Sequence, residues 1–147
     1  LLGKRSYFEK DLKDKLKDKE YEEEAINFAI DKLYRFKYLD DERLSQAFVN
    51  DKKRFSKKGP RYIASALRAK GVAQEMISDI LENSYQDEEA LENCKGLVYK
   101  KLEYYKRKSA DTYTLKGKLY AFLAQRGYTS EIIKKAIDSV LQEVSDS

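Results

Sequence analysis

Apolar positions recur along the chain at helical spacing, and the same arrangement occurs three times. In the middle copy Ile63 and Leu67 stand four apart, "RAKGV" follows, and then come Ile77, Ile80 and Leu81. A shift of 56 residues lands on Leu119 and Leu123, "AQRGY", then Ile133, Ala136 and Ile137. A shift back by 51 lands on Leu12 and Leu16, "KDKEY", then Ile26, Ala29 and Ile30. Each copy therefore predicts a helix, a tight turn and a second helix. Gly71 and Gly127 occupy the turn position where a left-handed residue closes a helix, with Leu67/Val72 and Leu123/Tyr128 placed as the accompanying hydrophobic pairs. In the first copy Glu20 stands where the glycine should be, which predicts a weaker or differently shaped turn there.

A further helix precedes each later pair. "LDDERLSQAFVNDKKRF" has Asp40 or Asp41 as N-cap, acids in its first turn and Lys and Arg in its last. Gly59-Pro60 then opens the next helix, with the proline where a missing N–H costs nothing. "DEEALENCKGLVYKKLEYYKRK" is the longer counterpart in the last copy, broken by "SADT", whereas Leu1-Leu2 is all that precedes the first. Helices are expected near 5–18, 22–37, 41–55, 60–70, 73–82, 87–107, 112–126 and 130–143. The fold class is all-α: tandem three-helix repeats in an elongated, curved array, with units 1–38 (lacking its first helix), 39–84 and 85–147. Ile63, Leu67, Ile77, Leu81, Leu119, Leu123, Ile133 and Ile137 are the expected equivalent core positions.

Composition agrees: 147 residues hold 38% charged residues and 41% hydrophobic ones, with a single proline. No apolar run is long enough to span a bilayer or serve as a signal core, so a soluble, cytosolic protein without membrane contact is expected. Met76 is the one methionine, and the opening "LL" reads as the start of a fragment. Cys94 falls on the apolar stripe of Leu91, Leu97 and Val98 and is expected to be a buried hydrophobe.

The net charge of +4 conceals alternating blocks, −2 over 1–31, +6 over 32–61, −5 over 62–94, +8 over 95–135 and −3 over 136–147. "KKRFSKKGPR", residues 52–61, holds six cations and no acid. A solvated helix end would account for part of this. The cluster, however, runs beyond the helix into the loop and the next helix, and the third copy repeats it at Lys100, Lys101, Lys106, Arg107 and Lys108, then Lys116 and Lys118. In a stacked array such loops share an edge, which favours a contact surface. The candidate residues are Lys52, Arg54, Lys57, Lys58, Arg61, Lys106, Arg107, Lys108, Lys116 and Lys118.

Tyr99, Tyr104, Tyr105, Tyr113 and Tyr120 lie among the third copy's cations and could stack bases, although core packing is expected for most; Tyr105 and Tyr113 stay open. Asp40, Asp41 and Glu42 read as capping acids, and Glu22, Glu23 and Glu24 as a first-turn run. Without histidine there is no Ser-His or Cys-His pair, and no Gly-rich phosphate loop occurs, so neither an enzyme nor a cofactor is expected.

"LDDERLSQAFVNDKKRFSKKGPRYIASALRAKGV" and the later "LYAFLAQRGY" resemble the RecX family. The likeness lies in Asp40, Asp41, Arg54, Lys58, Gly59, Pro60, Ile63, Leu67, Lys70 and Gly71, then Phe122, Leu123, Arg126, Gly127 and Tyr128, with Arg5, Ser6 and Glu9 in the looser first unit. The resemblance implies three tandem three-helix units in a curved array and a non-enzymatic, bacterial, cytosolic modulator of the RecA recombinase. It further implies binding along the groove of the RecA filament on single-stranded DNA, bridging of neighbouring protomers, and suppression of ATP hydrolysis and strand exchange. A monomer is expected, touching single-stranded DNA directly or through RecA. A nucleic-acid-binding helical array that needs no recombinase is the alternative, and a scaffold for acidic proteins a third.

Overall fold

The computed structural model describes residue 14, residues 22–35 and residues 41–146. Among the described residues there are seven helices and no strand: α1 Glu23–Arg35, α2 Asp41–Arg54, α3 Pro60–Ala69, α4 Gln74–Ser84, α5 Asp87–Arg107, α6 Thr112–Gln125 and α7 Ser130–Asp146. The helix expected at 5–18 lies, apart from Asp14, outside the described residues, as do Glu20 and Asp40. Asp41 is the first residue of α2 and contributes to its acidic first turn, with Lys52, Lys53 and Arg54 in the last. The acids at the start of α1 are Glu23 and Glu24.

Both glycine turns close as their spacing predicts. Gly71 has φ +88°, its N–H bonds to the Arg68 carbonyl at 2.9 Å, and the Val72 N–H reaches back to the Leu67 carbonyl at 3.1 Å. Gly127, at φ +99°, repeats this: its N–H meets the Ala124 carbonyl at 3.0 Å, and the Tyr128 N–H meets that of Leu123 at 3.3 Å. These paired bonds satisfy carbonyls that a helix end otherwise strands. The "SADT" break works through Asp111, whose carboxylate accepts the Thr114 N–H at 2.7 Å and is held below the usual carboxylate range by that bond.

α2, α3 and α4 pack on one another, and so do α5, α6 and α7. One hydrophobic core runs through both groups, from Val49 to Val140, with Cys94 fully buried in it. Ile63, Leu67, Ile77, Leu119, Leu123, Ile133 and Ile137 are all buried. Leu81 departs from the expectation, being only partly buried against the core. It lies three residues from the end of α4, where its counterpart Ile137 has nine more residues of α7 beyond it. α7 itself runs past the expected 143 to Asp146, its last turn braced by i,i+4 bonds from Ser139 to Glu143 (3.4 Å) and from Gln142 to Asp146 (3.2 Å).

The two groups meet backbone to backbone. The Gly59 N–H donates to the Arg126 carbonyl at 2.8 Å and the Arg61 N–H to the Gly127 carbonyl at 2.9 Å, so the start of α3 is sewn to the α6–α7 turn. A Cβ on Gly59 would sit 2.4 Å from the Gly127 carbonyl carbon, and one on Gly127 would sit 2.4 Å from the Tyr62 nitrogen and Cβ. Glycine is required on both sides of this approach.

Candidate basic interface

The end of α2 and the loop from it to α3 are held by their carbonyl groups. Asn93 of α5 donates its amide to the Lys53 carbonyl at 3.1 Å, the Arg126 guanidinium to that of Ser56, the Tyr128 hydroxyl to that of Lys57 at 2.7 Å, and the Tyr85 hydroxyl to that of Lys58 at 2.7 Å. The Asn93 amide also donates to the Tyr85 oxygen at 3.2 Å. Burial raises both tyrosine hydroxyls above their ordinary range, which keeps them protonated as donors. Within this frame Lys57 takes a left-handed backbone, φ +52°, unusual for a residue with a Cβ.

Fixing the carbonyls leaves most of the side chains free. Arg54, Lys57 and Arg61 are exposed, while Lys52 and Lys58 are partly buried along aromatic faces, Lys52 5.5 Å from the Phe48 centroid and Lys58 4.4 Å from that of Tyr62. Lys52 also stands 4.0 Å from Asp51. Phe55, absent from the sequence-derived site, projects from the middle of these cations with 75% of its surface exposed. Lys53 does the opposite: its ammonium turns inward, 2.8 Å from Glu89 of α5, with a further bond to the Ser84 carbonyl and the Tyr85 ring at 5.8 Å. Its spacing carried that signal, since Ser45, Val49 and Lys53 follow one another at i+4 on the buried face of α2.

The third unit's cations divide. Lys106, Arg107 and Lys108 are exposed at the end of α5, and Lys106 pairs loosely with Glu103 at 3.9 Å. Lys108 lies over the Tyr104 ring at 4.6 Å, and its hydrogen bond and charge lower that phenol's pKa. Lys118 joins the group by donating to the Lys108 carbonyl at 2.5 Å. Lys116 does not join it: it faces Asp138 of α7 at 3.6 Å. Of the tyrosines, Tyr120 packs against the core as expected, whereas Tyr99 and Tyr104 are exposed, a correction; of the two left open, Tyr105 packs against the core and Tyr113 has 88% of its surface exposed.

Two cations that spacing ranked lower connect the clusters. Lys57 and Lys100 line one hollow over Gly96 and Asn93, with Glu92 as its one acid. Lys101 then lies 5.7 Å from the Tyr104 centroid and 5.6 Å from that of Phe122, which the Arg126 guanidinium also approaches at 5.8 Å. A cationic seam thus leads from the α2–α3 loop along α5 to Lys108.

Fold and seam together define a tandem three-helix-repeat protein with a basic face carried on a junction between units. Three family models match it in order: RecX first three-helix domain over residues 1–33, second over 40–81 and third over 87–137. The chain belongs to the RecX family. It is 35% identical over 133 residues to the regulatory protein RecX of Clostridium beijerinckii, and 37% identical over 133 residues to that of Clostridium botulinum strain Alaska E43. Each alignment covers 90% of this chain and 61% of the relative, so the chain spans about three fifths of the length of those proteins. The crystal structure of RecX from Lactobacillus salivarius superposes with a TM-score of 0.86 at 24% identity, over 95% of this chain and 88% of that one, a likeness of fold. No described helix is long and apolar enough to cross a membrane.

Proposed function

We propose that this chain is a non-enzymatic regulator of the RecA recombinase, one that binds the RecA filament on single-stranded DNA and inhibits its ATP hydrolysis and strand exchange. The observation that carries this is membership of a family whose relatives are named regulatory protein RecX. The basic seam supplies a surface suited to a polyanionic filament, because its cations project from a backbone already fixed by hydrogen bonds and little ordering is left for binding to cost. In this proposal the chain acts in the cytoplasm as a monomer of three units, 1–38, 39–84 and 85–147.

A second reading is a nucleic-acid-binding array without a recombinase partner, favoured by the ring–cation pairs Lys58/Tyr62 and Lys108/Tyr104 on the surface. Binding to bare and to RecA-coated single-stranded DNA at two salt concentrations separates the two. Regulation of the recombinase predicts a marked gain on the coated strand; plain phosphate binding predicts equal affinity and a steep fall with salt. Joint replacement of Lys57, Lys58 and Arg61 by Glu should leave the helical signal unchanged, at a cost of about 1 kcal/mol or less, and abolish inhibition of strand exchange. The reversal of Lys106, Arg107 and Lys108 should weaken it less. Full inhibition by both triple variants would sink the role of the seam.

A further inference from the structure

A second surface adjoins the far end of the seam at Lys118 and runs along α6 and α7. Its floor is Gly117, Ala121 and Ile137, and Tyr113 and Tyr120 form its walls. Gly117 stands in the interior of α6, where glycine weakens a helix. A Cβ at Gly117 would meet nothing within 4 Å, so no neighbour inside the described structure requires glycine there. The space it leaves opens only outward.

The repeat indicates what fills such a space. A shift of 56 residues takes Pro60, Arg61, Ala64, Ser65 and Leu81 onto Lys116, Gly117, Tyr120, Ala121 and Ile137. The first five line a groove on α3 and α4, and that groove is bordered by Thr129, from the α6–α7 turn of the following unit. The same groove in the preceding unit is thus already edged by polypeptide. In the third unit it is more apolar, with glycine replacing Arg61.

Charge narrows the occupant. Lys116, Lys118 and Lys134 stand on the rim with Asp138 as the one acid, and Lys116 already faces that acid at 3.6 Å. Lys134 is exposed, and Lys118 spends one of its three hydrogens on the Lys108 carbonyl. Cations around an apolar floor suit a ligand with an apolar stripe flanked by carboxylates, and suit a nucleic-acid strand less well, because a strand needs its cations in a track. We propose that the α6–α7 groove docks an acidic amphipathic helix of a partner protein, an apolar side chain lying over Gly117 and carboxylates meeting Lys134 and Lys118.

The test needs no recombinase and is independent of the function proposed above. A fluorescein-labelled synthetic helix of glutamate and leucine, with its leucines on one face, is titrated against the full chain by anisotropy. A peptide of the same composition with leucines on all faces and an oligothymidylate serve as comparators. The one-faced peptide should bind, and its amide shifts on the protein should fall in 113–121 and 134–138 and spare 52–61. Gly117→Trp, which fills the groove, and Lys134→Glu should each weaken binding by about tenfold or more, the scale of blocking an anchor pocket. Thermal unfolding checks that each variant is folded, and Gly117→Leu stands in if the tryptophan is not tolerated. Equal binding by folded Gly117→Trp or Gly117→Leu, equal binding of the scrambled peptide, or shifts confined to 52–61 would each overturn the proposal. Displacement of the peptide by oligothymidylate, with oligothymidylate binding also lost in the groove variants, would overturn it in favour of nucleic acid.

Discussion

The hydroxyl of Tyr128 donates to the carbonyl of Lys57 at 2.7 Å, across 71 positions of chain, and so ties the last turn glycine's neighbour to the one left-handed residue of the basic loop. Replacing Tyr128 by Phe keeps the buried ring and removes this bond. The expected cost is ~1–2 kcal/mol, read as a lower urea midpoint with an unchanged m-value and helical signal. An unchanged midpoint would mean that the loop is held without it.

Two glycine-to-alanine changes should move stability in opposite directions. Gly59→Ala places a methyl group 2.4 Å from backbone that cannot step aside, and should cost about 3 kcal/mol by parting α3 from the α6–α7 turn. Gly117→Ala enters open space in a helix interior and should gain up to ~1 kcal/mol. Chemical denaturation of the two variants beside the parent decides it; loss in both would mean that the α6 groove is closed in solution.

Lys53 should behave unlike the cations around it. Lys53→Ala strips Glu89 and the Ser84 carbonyl of their shared donor in a part-buried place and should cost ~1–3 kcal/mol, whereas Lys57→Ala should change stability by less than ~0.5 kcal/mol. Comparable midpoints for the two variants would remove the distinction between a structural lysine and a surface one.

Alkaline pH should weaken the fold from within. Burial pushes the Cys94 thiol up to about 12 and raises the Tyr85 and Tyr128 hydroxyls. In the unfolded chain these groups ionise near roughly 8.5 and 10, so above those values the unfolded state gives up protons that the folded state keeps, and stability falls as pH rises. Their full contribution is present below pH ~8.5. Urea midpoints should therefore hold from pH 7 to 8 and decline above about pH 9, with a shallower decline in Cys94→Ala. An identical alkaline slope in that variant would rule the thiol out as a source.

The helices were legible because most carry local punctuation: the Gly59-Pro60 start, the "SADT" break, and the glycine turns with their Leu67/Val72 and Leu123/Tyr128 pairs. Those signals act within a few residues, and they placed six of the seven described helices to within about two residues at each end; α7 overran because polar i,i+4 pairs extend it. The division of labour within the basic loop was less legible. Which cation is structural depends on partners 31 to 71 positions away, such as Ser84 and Glu89 for Lys53, Asn93 for the Lys53 carbonyl and Tyr128 for that of Lys57. Local spacing records the buried phase of Lys53 but not its partner. Phe55 gives no such local signal, since the exposure of an aromatic beside charges depends on what packs over it.

Every residue type has a carbonyl, and it is through carbonyls that Ser56, Lys57 and Lys58 are fastened. Side-chain identity at those places is therefore decoupled from the attachment: a charge could be reversed or an aromatic introduced, and the same three donors would still hold the loop in place, provided that position 57 keeps a residue able to take its left-handed backbone. Gly59 beside them and Lys53 before them are excluded from that freedom. The charge carried by the loop can thus be altered, within a lineage or in the hands of a protein engineer, without renegotiating the junction on which the two units depend.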